Sequence, residues 1–337
     1  MEKTKVRGFH LRFGSHDLVE PLKEFIHHVL VPQGINYLFL ECNTSFVFKK
    51  HPEITEGTLT RQDAKVIADV CRKHNIRLIP LFQCLGHQGW GGKRNSILTA
   101  YPQFDETPEI SLDAVWPEIF CRSWCPEHPD IHQLVYDLMD EIIEAFDADG
   151  FHVGMDEVFE MVNPNCPRCR GKDRAKLFAN VVNDLHHHLV GTHNVEMFMW
   201  GDRLNDSERF GYNEWEGDTF GTHDAIDHIP KDIVITDWHY DKLPAYPSIG
   251  NFISKGFTVI PACWYKTDAA VDLLEQGIQQ AQEREKLKNM PGMLVTSWNN
   301  WDRASFEKVI KMTGASQKDE LHELHHTLHV ITTALKD

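Results

Sequence analysis

Eight short, near-continuous apolar runs, separated by stretches of helical period, leave this chain few ways to fold. They occupy residues 6–13, 35–42, 76–84, 151–157, 196–202, 232–240, 257–265 and 292–300. A strand with one face in water alternates apolar and polar residues. A strand buried on both faces does not, and such strands belong to parallel sheets covered by helices. The segments between the runs supply those helices. Leu22, Phe25, Ile26 and Leu30 recur at helical spacing within 18–31, ahead of Pro32 and Gly34. Thr60 stands where a cap belongs for a helix over 61–74, with Ala64, Ile67, Ala68 and Cys71 on its inner face. Further helices are expected over 129–146, 173–190 and 268–287, with a terminal helical segment over 305–335. Eight β/α units predict an α/β fold: a single (β/α)8 TIM barrel with a C-terminal helical segment, taking residues 1–337 as one domain. A doubly wound open sheet is the alternative, but no Gly-rich phosphate loop follows the first run.

Composition narrows the partners. The formal charge is −16 and no Lys/Arg run forms a basic stripe, which argues against nucleic acid and anionic membrane surfaces. No apolar stretch approaches a membrane span, and residues 1–5 lead into the first strand without a signal-like apolar region. Several of the eight cysteines (Cys42, Cys71, Cys84, Cys263) lie inside apolar runs, as buried reduced thiols of a cytoplasmic protein would. No cofactor motif is present, so none is expected, and a homodimer is left open.

In a barrel of this kind the chemistry gathers at the C-terminal ends of the strands. Those ends carry His10 and Arg12, Glu41, His87, Asp156 and Glu157, Trp200 and Asp202, Trp238 and Tyr240, Trp264, and Trp298 to Asp302. The fourth run closes on two adjacent carboxylates, Asp156-Glu157, and burying unpaired carboxylates is costly unless something uses them. A solvated strand end is the plain alternative. Four successive strands that end in Trp tip the balance, because rings stack on the C–H face of a sugar while acids bind hydroxyls and do chemistry. Adjacent strand residues point to opposite faces, so both carboxylates reach one sugar only if the backbone leaves strand geometry near Asp156. Glu157 then needs a raised pKa, from low dielectric and from Asp156.

His152-Val153-Gly154-Met155-Asp156-Glu157 resembles the His-x-Gly-x-Asp-Glu signature of family 20 glycoside hydrolases, the β-N-acetylhexosaminidases. Residues 79–87, 200–202, 238–240 and 298–302 look most like the hexosaminidase D branch, and the similarity runs through nearly all the chain. The resemblance implies an exo-acting enzyme on terminal β-linked GlcNAc or GalNAc, retaining configuration by substrate assistance. The acetamido carbonyl attacks the anomeric carbon and forms an oxazoline-like intermediate, an exception to the two-carboxylate scheme. By motif position Glu157 is the general acid/base, Asp156 holds the acetamido N–H, and Tyr240 donates to the acetamido oxygen. Trp200, Trp238, Trp264 and Trp298 form the pocket wall. The matching histidines of the family orient the acids, which gives His87 and His152 supporting roles.

Asp202 either binds a hydroxyl or pairs with Arg203. Many family members carry Trp-x-Glu at the eighth strand, where this chain has Asn300, and a sugar-binding arginine where Ser15 falls. Arg12 and Asp302 are the substitutes on offer, and the choice between GlcNAc and GalNAc stays open. Cys121, Cys125, Cys166 and Cys169 lie in neighbouring loops, where a structural zinc site competes with the simpler reading of reduced thiols. No catalytic metal is expected. Two other classes remain in play: a silent sugar-binding barrel, and a metal-dependent barrel hydrolase, although His10-Leu11-Arg12 lacks the His-x-His that a binuclear site wants.

Overall fold

The computed structural model of the chain describes residues 5–312 and 319–336. Eight parallel strands, β1 (Val6–Arg12), β2 (Tyr37–Glu41), β3 (Arg77–Cys84), β4 (Gly150–Gly154), β5 (Glu196–Trp200), β6 (Val234–Trp238), β7 (Thr258–Cys263) and β8 (Gly292–Val295), close into a barrel in chain order. Closure pairs Val6 with Gly292, where a side chain would not fit: a Cβ on Gly292 would stand 1.9 Å from the Val6 carbonyl oxygen.

The continuous apolar runs are now explained by two separate cores. Inside the barrel, Phe39, Ile79, Leu81, Phe198, Trp200, Val234, Ile260 and Leu294 fill layers of side chains. Their strand neighbours Leu38, Leu40, Leu78, Phe82, Met197, Met199 and Ile235 point outward and pack under the helices. The strands therefore carry apolar residues on both faces.

The helix over Arg61–Lys73 starts where expected. Thr60 and Asp63 form a reciprocal capping box, with Asp63 N donating to Thr60 Oγ1 at 3.1 Å and Thr60 N to Asp63 Oδ2 at 3.0 Å. The first helix does not stop at Pro32. Val19–Phe25 widens into a π turn over Ile26–Leu30, continues through Val31–Gln33, and ends at Gly34 with φ +78°. The wide turn relieves the clash that proline imposes on an α-helical neighbour. Between β5 and β6 only short turns of helix appear, at Asp202–Leu204, Ser207–Phe210 and His223–Asp227, so that unit lacks a full covering helix. The terminal segment divides into Arg303–Ile310 and Glu320–Ala334, and residues 313–318 lie outside the described residues. All strands but β1, β2 and β3 end at least two residues before the expected limit, which matters most at β4 and β8, where the candidate site begins.

Candidate active site

β4 ends at Gly154, and the chain then turns sharply out of strand geometry. Gly154 has φ +69°, Met155 φ +74° and Glu157 φ +50°. A Cβ on Gly154 would approach Gln83 Oε1 to 1.9 Å, so glycine is needed for space as well as for conformation. Met155 and Glu157 take the left-handed region without that freedom, and such strain persists only where the surroundings hold it. Here Glu157 N donates to Asp202 Oδ2 at 2.9 Å, Cys121 Sγ donates to the Glu157 carbonyl at 3.6 Å, and Met155 is fully buried. The β3–β4 register also shifts between Leu81 and Cys84, as irregular ladders do beside re-aimed side chains. The departure from strand geometry demanded by the Asp-Glu pair is therefore present, and both carboxylates meet the same imidazole.

His87, itself at φ +56°, sets its Nε2 3.1 Å from Asp156 Oδ2 and 3.4 Å from Glu157 Oε2. Burial opposes protonation of His87, but Asp156 and then Glu157 overcome it and carry the imidazole to about 9. Burial likewise pushes Asp156 up, yet the charge and hydrogen bond of His87 outweigh it and hold the carboxyl below its ordinary value. Glu157 goes the other way. Desolvation is the largest cause, Asp156 and Asp202 add repulsion, and together they raise it to about 8 against the relief His87 provides. Two adjacent carboxyls thus divide into one that stays ionised and one that keeps its proton at neutral pH, the pattern of an acid and a charge stabiliser. Asp156 Oδ1 is buried without a partner.

Above them opens a cavity of about 1070 Å³ whose lining includes Trp238, Tyr240, Trp264 and Trp298. Trp238 stacks on Tyr240 with ring centres 5.0 Å apart, and Trp264 meets Tyr240 edge-on at 5.7 Å. Trp298 Nε1 donates to Tyr240 Oη at 2.9 Å, which leaves the phenol its own proton to give. Arg12 lines the same cavity, donating from Nη2 to the Trp298 carbonyl at 2.6 Å and to Asn300 Oδ1 at 3.2 Å.

Four of the expected residues lie elsewhere. Trp200 ends β5 pointing into the barrel, fully buried beneath the cavity, with its ring against His152 and Trp298. Asp202, 1% exposed, accepts from Glu157 N, Arg203 Nε and Trp238 Nε1, so it pairs with Arg203 and lies outside the cavity lining. His152 touches neither acid: Nε2 lies 2.8 Å from Thr236 Oγ1, and Nδ1 accepts from Gly154 N at 3.0 Å, bracing the turn. Burial drives His152 down to about 3, so it is neutral. Asp302 is exposed and caps the helix Arg303–Ile310 through Ser305, which removes it as a substitute for the missing glutamate.

The cavity also includes Glu41, a strand-end charge that was given no role, and loop residues that the strand ends did not contain. Glu41 Oε2 meets His10 Nε2 at 3.2 Å and Glu41 Oε1 accepts from Asn43 Nδ2 at 2.8 Å. Trp90 and Phe120 reach the mouth from the loop after β3, with ring centres 5.3 Å apart. Glu41 was visible as a charge closing an apolar run; loop residues such as Trp90 carry no such signal.

The glycosyl hydrolase family 20 catalytic domain matches residues 39–321 of the chain. Among curated proteins, a β-hexosaminidase of Akkermansia muciniphila is 25% identical over 116 residues, which is 34% of this chain and 22% of that relative. Among solved structures, Flavobacterium johnsoniae chitobiase superposes with a TM-score of 0.63 at 16% identity, covering 99% of this chain and 52% of that one. Dispersin B gives 0.58 at 16% identity over 98% of this chain and 100% of its own. A β-N-acetylhexosaminidase of Bacteroides fragilis gives 0.65 at 15% identity over 96% and 66%. The chain thus spans about a fifth of the curated relative and about half of the chitobiase.

Proposed function

The chain belongs to glycosyl hydrolase family 20, and from that membership we propose that it is an exo-acting β-N-acetylhexosaminidase. It removes terminal β-linked GlcNAc or GalNAc with retention, using the acetamido group of the substrate as nucleophile. One observation carries the reading: a carboxyl raised to about 8 and a neighbour held low share His87 at the base of an aromatic pocket.

Glu157 protonates the leaving oxygen as the glycosidic bond breaks, then takes a proton from the water that opens the oxazoline-like intermediate. Asp156 stays ionised, and its unpartnered Oδ1 accepts the acetamido N–H, whose acidity grows as the carbonyl oxygen attacks the anomeric carbon. Tyr240 donates to that carbonyl oxygen and fixes its angle of approach. Trp238, Trp264 and Trp298 enclose the acetamido methyl and the apolar sugar face, and the outer hydroxyls fall to Arg12 and Glu41 among the charged groups that line the cavity. The cytoplasm is the compartment we favour, a choice supported by eight unbridged cysteines.

Release of nitrophenol from the aryl β-GlcNAc and β-GalNAc glycosides tests the reading, together with affinity for a thiazoline mimic of the intermediate. Turnover with tight thiazoline binding is expected. Sugar binding by calorimetry with no turnover of either glycoside would instead mark a silent barrel and sink the proposal.

A further inference from the structure

We infer that Glu106, Cys125, Cys166 and Cys169 form a structural site for a single soft divalent cation, zinc by donor set. The four come from two loops, one after β3 and one after β4, and none is used by the active site. Their side chains are buried, at 0%, 0%, 2% and 0% exposure. The four candidate ligand atoms all lie within 4.8 Å of one another. Cys125 Sγ stands 3.4 Å from Cys166 Sγ, and Cys169 Sγ stands 2.6 Å from Glu106 Oε1. A tetrahedral zinc with bonds of about 2.3 Å to sulfur and about 2.0 Å to oxygen separates thiolates by roughly 3.8 Å and sulfur from oxygen by roughly 3.5 Å, so the Cys125–Cys166 pair needs to open by only a few tenths of an ångström while Cys169 and Glu106 move apart by about 1 Å.

The local backbone builds the cage. Cys166-Pro167-Arg168-Cys169 is a tight turn in which Arg170 N donates to the Cys166 carbonyl and Lys172 N to the Cys169 carbonyl. That turn brings two thiols to the same side, the arrangement that Cys-x-x-Cys supplies to zinc. Cys125 faces them across the loop boundary. The expected fourth thiol, Cys121, is directed to the Glu157 carbonyl instead, and Glu106 takes its place.

Glu106 is what a plain thiol cluster does not explain. Its Oε1 accepts from Asn163 N at 2.8 Å and from Cys169 Sγ, whereas Oε2 is buried with no partner. No Lys, Arg or His bonds to this carboxylate among the described residues. A carboxylate placed against three thiols in a dry pocket is unfavourable until a cation joins them. Thiolates select a soft ion over calcium or magnesium. Four ligands this close enclose one ion and leave no room for an iron–sulfur cluster. On binding, the three thiols release their protons to water and no covalent bond of the chain changes. The ion then ties the loop continuing from Glu157 to the loop holding Glu106 and Cys125, which makes it a brace for the active-site wall.

The test uses the full chain purified without a metal-affinity step, dialysed against zinc and then metal-free buffer, and measured for metal by mass spectrometry. About one zinc per chain is expected. Cobalt replacing it should show the thiolate charge-transfer band and the intense visible bands of tetrahedral sites. Cys166→Ser and Glu106→Gln should each lower occupancy. His188→Ala, in the half-exposed Asp140/His188/His193 cluster, should leave it unchanged. If the cysteine variants fail to fold, the cobalt spectrum of the unmodified chain decides. Only trace metal after zinc dialysis, or an intact mass two hydrogens short from a Cys125–Cys166 disulfide, would overturn the inference.

Discussion

Replacing Glu157 with Gln should remove the proposed proton donor and at the same time make the fold more tolerant of alkali. The carboxyl moves from 4.5 when exposed to about 8 in the folded protein, with desolvation as the main cause. At about 1.4 kcal/mol per pKa unit, the full displacement sets a ceiling of about 5 kcal/mol. The side chain is 17% exposed and faces an imidazole held to about 9, and both soften the penalty of ionising it. We therefore expect about 1–2 kcal/mol. Because the folded carboxyl keeps its proton to higher pH than the unfolded one, the native state binds more protons between pH 4.5 and about 8. Wild-type stability must fall as pH rises through that window. Gln has no proton to lose, so the advantage of the variant should grow from acid and level off above about pH 8. Urea unfolding of both proteins, followed by tryptophan fluorescence at intervals from about pH 5 to pH 9, reads the difference directly. Hydrolysis of glycosides with poor leaving groups should fall about 10²–10⁴-fold in the same variant. Stability curves that run parallel across the window would refute the account of Glu157 as a carboxyl kept protonated by burial.

Asp156→Asn should lower kcat by about 10²–10³-fold and weaken thiazoline binding, since on the proposed mechanism it removes the charge that faces the acetamido nitrogen; a change in KM alone would contradict that role. Arg203→Ala should cost about 3–5 kcal/mol in urea unfolding, because it strips a fully buried guanidinium from Asp202 and leaves that carboxylate unpaired beneath Glu157. Gly154→Ala should destabilise by about 2–3 kcal/mol and depress kcat, as φ +69° and the contact with Gln83 force the Asp156 turn to move; unchanged thermal unfolding would show the turn to be slack.

The barrel and its eight strands were legible because burial on both faces makes a strand a near-continuous apolar run. The Asp-Glu pair was legible because charge at the end of such a run needs a reason. What the pattern could not give was height along the barrel axis. Trp200 and Trp238 are the last residues of β5 and β6, Trp264 lies one residue beyond β7, and Trp298 lies three beyond β8. Exposure follows that order from fully buried Trp200, through Trp238 at 9%, to the half-buried pair. A shift of one or two residues in a strand end, the usual uncertainty of such boundaries, moves a ring from the packed interior to the pocket wall. Asp202 and Asp302 were ambiguous for a related reason: a carboxylate after a strand serves a ligand, a buried arginine or a helix cap equally well in sequence.

Strain supplies the remaining link between fold and chemistry. Leu85 and His87 leave β3, and Met155 and Glu157 leave β4, with all four in the left-handed region despite carrying side chains. The two exits are neighbours across the one irregular ladder of the barrel, and they hold the imidazole and the carboxyl that lie 3.4 Å apart. Each such residue costs on the order of 1 kcal/mol or more, so the loops would relax unless neighbours held them. Asp202 holds one exit through Glu157 N, with Arg203 balancing its charge. Gly86 serves the other, where an added Cβ would press on the Asp156 carbonyl at 3.2 Å. The buried residues around the acids therefore keep strained backbone in place, and their loss should appear first as misplacement of Glu157 and only then as unfolding.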